Sequence, residues 1–440
     1  MSAASQARRL KSADELEIVA FERGNFTSYS ACGIPYFVGG VVERFERLIV
    51  RTPEKFHEGQ SIEARVRHEV TAIDLDKRSV TVKNLDEGTE STEGFDQLVI
   101  ATGAQPIRPS LPGMDSEGVF GVQTLDDGLA IDRVLEERQP KKAVVVGGGY
   151  IGLEMAEALI ARGLDVTLVE LAPQPMSTLD PDMGDWIADS MRSMGITLYT
   201  NEEVTAIESS SGRVSSVITD AQSLPADLVV LGLGAQPNIG LARDAGVRIG
   251  DAEGIAVDQQ MSTSVDGVWA AGDCVEKFHR VARKPVVIAL GTHANKEGRV
   301  AGINMGGGYA VFPGVVGTAA SKVCDLEVAR TGLKESEAAD AGFDFVSVVS
   351  DSKTRSGYYP GTQPIKIKLV VEERSGRLLG AQIVGKEGAA KRIDVFATAL
   401  WNEMTVEDMM SLDLSYAPPF APVWDPVLIA ARRAWERVQS

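Results

Sequence analysis

Short apolar runs alternate with amphipathic stretches along residues 143–170, and glycines stand between the two kinds of pattern. A β-branched run, AVVV, precedes the turn GGG. The stretch YIGLEMAEALIARG then places apolar residues at helical spacing, and DVTLVE closes the unit. This change of period predicts a strand, a helix and a second strand. Because strands joined by a helix usually pair in parallel, we expect a parallel sheet covered by helices.

The turn and the end of this unit carry a dinucleotide-binding fingerprint. Gly147, Gly149 and Gly152 permit a tight turn, a close approach of the backbone to a pyrophosphate and a close helix–strand contact. The helix N-terminus directs N–H groups towards the phosphates, and Glu170 can accept hydrogen bonds from the ribose hydroxyls. The LAPQPM segment after Glu170 has no Arg or Lys to bind a 2′-phosphate, so NADH is favoured over NADPH.

A weaker repeat indicates a second copy of this unit. FDQLVIATGAQP (95–106) and ADLVVLGLGAQP (226–237) share an acid, an apolar strand, a glycine and Ala-Gln-Pro. Each follows a strand that ends in an acid, Glu22 in the first copy and Glu170 in the second, which predicts two Rossmann-like units. The glycine loop of the first copy would fall at or before residue 1. Either this loop has been lost or the sequence starts late, and the intact remainder of the unit favours a late start.

The rest of the chain predicts further α/β structure. The N-terminal residues MSAASQARRLKSADE predict an amphipathic helix that runs straight into a strand, LEIVAFE. GVWAAGDCVE (267–276) predicts a strand and a small-residue turn, and residues 289–304 predict a helix with small residues on one face. From about residue 322, PIKIKLVV and LLGAQIVG alternate with the helical pattern AKRIDVFATALWNEM. The fold class is therefore α/β, with two Rossmann-like domains and a C-terminal α+β domain.

Composition narrows the function classes. A chain of 440 residues predicts roughly two to four domains. A net charge of -18 argues against general nucleic-acid binding, which needs a basic surface. No apolar run approaches the roughly 18 residues of a membrane span. The chain has only three cysteines, which argues against a disulfide framework and favours a location in the reducing cytoplasm. The four histidines do not have the spacing of metal ligands.

The segment SYSACGIPYFVGG (28–40) presents a single cysteine, Cys32, with no second cysteine within two hundred residues. Gly33 and Pro35 fit the opening of a helix, whose N-terminus would stabilise a thiolate. Without a resolving cysteine, oxidised Cys32 must be a mixed disulfide with a small thiol or a sulfenic acid. Cys274 and Cys324 are expected to be buried.

Together these residues resemble the pyridine nucleotide–disulfide oxidoreductases, FAD-dependent enzymes with FAD, NAD and interface domains. SYSACGIPYFVGG resembles the single-cysteine branch, which contains coenzyme A disulfide reductases, persulfide reductases, NADH oxidases and NADH peroxidases. The resemblance implies an FAD domain at 1–111 and 238–320, whose first strand and glycine loop are missing. It further implies an NAD(P)H domain at 112–237 and a dimerisation domain at 321–440.

The resemblance also implies a set of cofactor-binding residues. FERG places Glu22 at the FAD adenosine ribose, AAGD places Asp273 at the ribityl chain, and Tyr150 shields the nicotinamide pocket. The implied FAD residues are Glu22, Arg23, Val70, Ala101, Thr102, Gly103 and Asp273. The implied NAD(P)H residues are Gly147, Gly149, Tyr150, Gly152, Glu154, Glu170 and Gly234.

Catalytic and substrate residues are implied in the same way. RSGYYPG (355–361) and LSYAPPFAPVWDP (414–426) resemble segments whose tyrosines reach over the partner subunit's cysteine in a homodimer. Aromatic packing at an interface is the alternative. SQARR resembles a set of coenzyme A contacts, for which exposed helix arginines are the alternative. Ala31 stands where such reductases commonly have Asn, which removes one polar contact. The implied residues are Cys32, Tyr416, Tyr358 and Tyr359 for catalysis and Gln6, Arg8, Arg9, Ser28 and Lys296 for coenzyme A or a related thiol.

Three functions follow from these observations. The first is an FAD-dependent NAD(P)H reductase of coenzyme A disulfide or a related disulfide or persulfide, in which Cys32 forms a mixed disulfide and Tyr416 acts on the leaving thiolate. The second is an NADH oxidase or peroxidase that uses a sulfenic acid at Cys32. The third is an FAD-free NAD-binding protein without enzymatic activity.

Overall fold

Residues 1–111 form short strands and three helices around the first AQP repeat, and the computed structural model describes every residue, Met1–Ser440. Strand β1 pairs in parallel with β2, and β3, β4 and β5 form an antiparallel sheet. Cys32 lies between β1 and α2, in a 3₁₀ turn. The elements are α1 (Ser2–Leu10), β1 (Val19–Glu22), α2 (Ile34–Val38), α3 (Pro53–Gln60), β2 (Glu63–Val66), β3 (His68–Asp74), β4 (Ser79–Asn84), β5 (Glu90–Gly94), β6 (Leu98–Ile100) and β7 (Ala104–Pro106).

The first helix is shorter than the sequence pattern predicts. Helix α1 ends at Leu10, and residues 11–18 separate it from β1, so the prediction of a helix that runs straight into the strand is wrong. The Arg8 guanidinium donates to the carbonyl oxygens of Ser12 and Leu16 at 2.5 and 2.6 Å. These bonds hold the chain after Leu10 in a turn that a continuing helix could not form.

Residues 112–237 contain the predicted parallel sheet. Its five strands lie in the order β11-β10-β9-β15-β8, and each neighbouring pair is parallel. The strand–helix–strand prediction for residues 143–170 is confirmed by β9, α5 and β10. The elements are β8 (Val119–Gly121), α4 (Leu125–Arg138), β9 (Lys142–Val146), α5 (Tyr150–Ala161), β10 (Asp165–Glu170), α6 (Pro181–Met194), β11 (Thr197–Thr200), β12 (Val204–Ser210), β13 (Arg213–Thr219), β14 (Ser223–Pro225), β15 (Leu228–Leu231) and β16 (Ala235–Pro237).

After residue 237 the chain packs again against residues 1–111. Strand β17 pairs in parallel with β6, and helix α8 packs on α1. A Cβ atom at Gly302 would lie 2.3 Å from the Ala3 carbonyl oxygen, so the two helices approach at a glycine. The elements are α7 (Gly240–Asp244), β17 (Val268–Ala270), β18 (Lys277–His279), β19 (Lys284–Val286) and α8 (Gly291–Met305).

The two Rossmann-like parts differ at the centre of the sheet. By the sequence repeat, β1 corresponds to β10 and β6 corresponds to β15. The five-stranded parallel sheet of residues 112–237 belongs to what we call the NAD-type part. In this sheet, β9 lies between β10 and β15 and leads into the glycine turn. In the other part, the β1–β2 pair and the β6–β17 pair remain separate, and no strand joins β1 to β6.

The two AQP repeats pair with each other where the chain passes between the two Rossmann-like parts. Strands β7 and β16 pair antiparallel, with Gln105 opposite Gln236. Just beyond them, Thr102 Oγ1 donates to the Asn238 carbonyl oxygen at 2.6 Å, and Asn238 Nδ2 donates back to the Thr102 carbonyl oxygen at 3.0 Å. The repeated segments therefore fix the turn at residues 101–103 against the start of the returning chain.

The C-terminal part is the predicted α+β domain. A five-stranded antiparallel sheet runs in the order β20-β21-β24-β23-β22, and helices α10 and α12 pack on it. None of the helices in the chain has the length and apolar content needed to cross a bilayer. The elements are β20 (Ala319–Val323), β21 (Leu326–Gly332), α9 (Glu335–Asp340), β22 (Phe345–Lys353), β23 (Pro364–Glu372), β24 (Leu378–Gly385), α10 (Ile393–Trp401), α11 (Val406–Met410) and α12 (Pro426–Gln439).

Candidate active site

Cys32 is exposed in a 3₁₀ turn that immediately precedes α2. The predicted helix opening is confirmed, since Gly33 caps α2 and Pro35 lies in its first turn. A Cβ atom at Gly33 would lie 2.3 Å from the Leu48 side chain, so the turn packs tightly over Leu48. The backbone thus holds the thiol at the surface on a closely packed base.

Protein charges near Cys32 disfavour its thiolate. Burial of part of the side chain raises the pKa of the Cys32 thiol, and the carboxylates of Glu154 and Asp273 raise it further. The backbone N–H of Cys32 lowers this pKa, but by less. The backbone N–H at the helix opening therefore stabilises the thiolate, as expected, but desolvation and two negative charges outweigh it in the polypeptide by itself.

Glu154 links the Cys32 region to the C-terminal sheet. It lies on α5, and its Oε1 accepts a hydrogen bond from Ser321 Oγ at 2.8 Å. Burial raises the pKa of the Glu154 carboxyl, while the Ser321 hydroxyl lowers it. Ser321 could not be predicted as part of this site, since no local pattern indicates that a serine 167 residues away completes the environment of Glu154.

One carboxylate oxygen of Asp273 is free to accept a hydrogen bond from a ligand. Its Oδ1 atom is buried without a hydrogen-bond partner, and burial raises the pKa of the group. The preceding Gly272 has φ +98°, donates its N–H to Glu297 Oε2 at 2.9 Å and accepts from Lys277 Nζ at 2.9 Å. An unpartnered acceptor on a fixed turn fits a hydroxyl-bearing group such as the ribityl chain of FAD.

Lys277 and Glu297 form a second pair near this turn that the sequence does not indicate. Both side chains are fully buried, and Lys277 Nζ lies 3.5 Å from Glu297 Oε1. A charged residue in a helical or strand pattern normally indicates a solvent-facing position. No sequence signal distinguishes this buried pair from surface charges.

The other FAD-type residues lie on β1, on β3 and in the turn between β6 and β7. Glu22 Oε1 accepts from the Gly24 N–H at 2.7 Å, Arg23 is exposed, and Val70 pairs with Val82. Ala101 and Thr102 precede Gly103, which has φ +67°. These residues fit the ribose and ribityl ends of FAD, whereas the glycine turn at the pyrophosphate is found only in the NAD-type part.

The NAD-type fingerprint has the geometry its glycines imply. Gly147 has φ +96°, and a Cβ atom at Gly152 would lie 1.9 Å from the Gly147 carbonyl oxygen. Gly149 is the N-cap of α5, and Glu170 Oε2 accepts from the Gly148 N–H at 2.6 Å. These residues fit a dinucleotide pyrophosphate and ribose.

Two further NAD-type residues flank this turn. The Tyr150 hydroxyl at the start of α5 is buried without a hydrogen-bond partner, and burial raises the pKa of that hydroxyl. Gly234, with φ +88°, directly precedes β16 at the crossing between the two parts.

The tyrosines of the C-terminal part come together on an exposed surface. The hydroxyl of Tyr416 beside Tyr358 raises the pKa of Tyr358, and the two residues are 47% and 77% exposed. Tyr359 is half-buried, and Phe420 and Trp424 add exposed aromatic area. No hydrogen bond joins these tyrosines to Cys32 within one chain.

The predicted substrate residues occupy two surfaces. Gln6 Oε1 accepts from exposed Arg9 at 3.2 Å on α1, and Lys296 is exposed on α8, the helix that packs against α1. Ser28 lies near Cys32, and its carbonyl oxygen accepts from the Val50 N–H at 2.9 Å. Arg8 forms its hydrogen bonds within the chain. Its guanidinium donates to five main-chain carbonyl oxygens, those of Gln60, Lys11, Ser12, Leu16 and Ser61.

Residues 1–298 match the family described as pyridine nucleotide-disulphide oxidoreductase, and residues 318–426 match the dimerisation domain of the same family. The chain belongs to this family. It is therefore an FAD-dependent, NAD(P)H-using oxidoreductase, and its match to the dimerisation domain supports a homodimer. Family membership contradicts the third possibility, a protein that binds NAD without FAD and has no activity.

Curated relatives in this oxidoreductase family cover nearly the whole chain. A protein of Pyrococcus abyssi named NAD(P)H sulfur oxidoreductase (CoA-dependent) is 42% identical over 98% of this chain and 95% of its own length. A Methanocaldococcus jannaschii protein named NADH oxidase is 37% identical over 97% and 94%. The coenzyme A disulfide reductase of Staphylococcus haemolyticus is 32% identical over 98% and 96%.

A solved structure of this oxidoreductase family has the same fold. The NAD-dependent persulfide reductase from A. fulgidus superposes with a TM-score of 0.96 at 38% identity. The alignment covers 100% of this chain and 81% of the other.

Proposed function

We propose that the protein uses NAD(P)H to reduce coenzyme A disulfide, or a related low-molecular-weight disulfide or persulfide, through Cys32. The observation that carries this proposal is that Cys32 is the one exposed thiol of the chain, whereas Cys274 and Cys324 are 0% and 4% exposed. Oxidised Cys32 therefore has no protein thiol to pair with, and the second sulfur must come from the substrate. Relatives named for coenzyme A and for persulfide support the substrate class.

The proposed chemistry is a thiol–disulfide exchange followed by a two-electron reduction. The Cys32 thiolate attacks one sulfur of the substrate, the substrate S–S bond breaks, and one coenzyme A leaves as a thiolate that takes up a proton. Two electrons and a proton from NAD(P)H, with a second proton from solvent, then release the other coenzyme A and restore the Cys32 thiol. Bound FAD supplies the two-electron transfer between the nicotinamide and the Cys32 disulfide.

We infer that the site is shared between two subunits. Tyr416, Tyr358 and Tyr359 belong to the dimerisation domain, and they form no hydrogen bond with Cys32 of their own chain. An exposed tyrosine pair from the partner subunit could protonate the leaving thiolate or orient the substrate. Gln6, Arg9, Ser28 and Lys296 remain proposed contacts for coenzyme A. We leave Arg8 out because its five donors are already bound to main-chain oxygens.

NADH is the proposed reductant of choice. Glu170 occupies the end of β10 and accepts from the Gly148 N–H, and the following LAPQPM segment carries no cation. A carboxylate at this position repels the 2′-phosphate of NADPH, and no Arg or Lys nearby compensates.

An NADH oxidase that forms a sulfenic acid at Cys32 is the second candidate, because the M. jannaschii relative bears the name NADH oxidase. The experiment is to measure NADH consumption by the purified flavoprotein under anaerobic conditions with coenzyme A disulfide, and in air without it. We expect turnover without oxygen, two thiols released per NADH, and loss of this activity in Cys32→Ser. Faster turnover in air alone than with the disulfide would replace the reductase with the oxidase.

We propose domain boundaries at 111/112, 237/238 and 320/321, and a cytoplasmic location that matches three free cysteines. The first two boundaries fall between strands along the chain, the second directly after β16. Strand β20 begins at Ala319, two residues before the third boundary, so the whole strand belongs with the C-terminal sheet. Limited proteolysis tests the boundaries, which predict cleavage near 111 and 237 before cleavage within any sheet.

A further inference from the structure

A short segment after β10 that runs into the first turn of α6, residues 177–182, lies against the C-terminal sheet although it belongs to the NAD-type part of the chain. Lys334 Nζ donates to the Ser177 carbonyl oxygen at 2.7 Å. Arg330 Nη1 donates to the Thr178 carbonyl oxygen at 2.6 Å. Two cations of the C-terminal domain therefore bind the main chain of this segment, which we call the 177–182 segment.

The far end of the 177–182 segment enters a charged cluster in which Lys368 and Asp180 are buried, while Asp182 and Glu335 are partly exposed. Lys368 on β23 is 2% exposed, and its Nζ lies 2.8 Å from Asp182, 2.8 Å from Glu335 and 3.3 Å from Asp180. Gln382 on β24 accepts from the Asp180 N–H at 2.7 Å and donates to its carboxylate at 2.6 Å. Buried polar networks whose members are all paired hold one geometry, because any displacement leaves a desolvated charge without a partner.

The near end of the segment adjoins the dinucleotide fingerprint. Met176, directly before Ser177, is fully buried with φ +57°, and its N–H donates to the Gly148 carbonyl oxygen at 2.7 Å. The Thr178 hydroxyl lies beside the Tyr150 hydroxyl, and both hydroxyls are buried without a hydrogen-bond partner. A displacement of the segment would therefore move both the glycine turn and the tyrosine at the start of α5.

We propose that the C-terminal domain positions the NAD(P)H site through the 177–182 segment, with Arg330, Lys334 and Lys368 as positioning residues for nucleotide binding. The cations hold the segment, and the segment holds the Gly148 carbonyl and Tyr150. None of the three cations is expected to touch the nucleotide. The inference requires only that the NAD-type part binds NAD(P)H, so it stands apart from the identity of the substrate reduced at Cys32.

The test measures NADH affinity and turnover separately in Arg330→Met, Arg330→Lys and Lys334→Met of the full-length flavoprotein. We expect the NADH Kd of Arg330→Met to rise about tenfold, a difference of about 1.4 kcal/mol. We expect Arg330→Lys to restore most of the affinity, because a lysine can still donate to the Thr178 carbonyl. The rate of hydride transfer at saturating NADH should stay within about twofold of the parent, since no reacting group is removed.

Lys391→Met is the matched control, because Lys391 belongs to the same domain but pairs only with Asp394 on the surface. Its NADH Kd should equal that of the parent. If Arg330→Met does not fold, Lys334→Met decides the question, since Lys334 is only half-buried and its loss leaves no buried charge. An unchanged Kd with a lowered melting temperature, or an equal rise of Kd in Lys391→Met, would overturn the proposal. Failure of disulfide reduction with a normal NADH Kd would count against the proposed function instead.

Discussion

Cys32 lies in a setting that raises its pKa. The thiol is partly desolvated, and Glu154 and Asp273 both place negative charge near it. A thiol is nucleophilic only as its thiolate, so in the polypeptide alone its reactivity rises at a higher pH than for an ordinary cysteine. Glu154 is the charge most easily removed without touching the proposed ribityl contact at Asp273.

Alkylation of Cys32 by iodoacetamide, followed as a function of pH, measures this effect. We expect the midpoint to lie above the pKa of about 8.5 of a free cysteine. Glu154→Gln should move the midpoint to lower pH, because Glu154 raises the pKa of the Cys32 thiol and the substitution removes its negative charge. Glu157→Gln is the control, since Glu157 lies one turn further along α5 and does not act on Cys32. Equal midpoints in the parent and Glu154→Gln would contradict the assignment.

The sequence predicts the role of a residue where that role depends on residues close to it in the chain. Cys32 beside Gly33 and Pro35, and Gly152 in the fingerprint, depend on contacts within a few residues. Ser321 could not be read, since it acts on Glu154 from 167 residues away. The two carboxylates that raise the pKa of Cys32 could not be predicted for the same reason, because they come from distant segments.

At the scale of single elements, the turn from β9 into α5 is the most constrained. A Cβ atom at Gly152 would lie 1.9 Å from the Gly147 carbonyl oxygen, so the glycine turn cannot keep its shape with any larger residue. We expect Gly152→Ala to weaken NADH binding at least about tenfold. Gly240→Ala, at the start of α7 where no atom lies within 4 Å, should bind NADH normally. Isothermal titration decides between them, and normal binding by Gly152→Ala would contradict the proposed site.

The turn before Asp273 depends on the buried Lys277–Glu297 pair. Removing one partner leaves a buried charge uncompensated, so we expect Glu297→Leu to lower the free energy of unfolding by about 3–5 kcal/mol. The double variant Lys277→Met/Glu297→Leu removes both charges and should recover part of this loss. Denaturant unfolding measures both. A double variant that is less stable than Glu297→Leu would show that the pair does not act as a unit.

Most elements were predictable where a hydrophobic period is long and its ends are marked. Strand β9, helix α5 and strand β10 lie where the pattern places them, and α8 and α10 agree closely. The end of α1 was mispredicted, because Arg8 binds carbonyl oxygens beyond the helix and no local pattern encodes that contact. The spacing of hydrophobic residues cannot predict contacts of this kind, in which a side chain binds the main chain of a later turn.

At the scale of the whole molecule, the exposed aromatic surface of the C-terminal domain should lie between subunits. Trp424 is 57% exposed and Phe420 is 76% exposed in a single chain. We expect Trp424→Glu to shift the protein from dimer to monomer in light scattering. Tyr309→Glu is the control, since Tyr309 is 76% exposed but lies outside the dimerisation match. A dimeric Trp424→Glu would place the interface elsewhere.

A monomer should also separate the two halves of the reaction. NADH binding belongs to one chain and should persist, whereas disulfide reduction needs the partner's tyrosines and should fall. Loss of both activities together would indicate general unfolding, which circular dichroism of the same variant checks.

The measurement that tests the central claim most directly is the intact mass of the protein after treatment with coenzyme A disulfide, before and after NADH. We predict one coenzyme A bound per chain, located at Cys32, released by NADH, absent in Cys32→Ser and retained in Cys324→Ser. Coenzyme A bound to Cys32→Ser, or a Cys32 adduct that NADH cannot release, would contradict the single-cysteine mechanism.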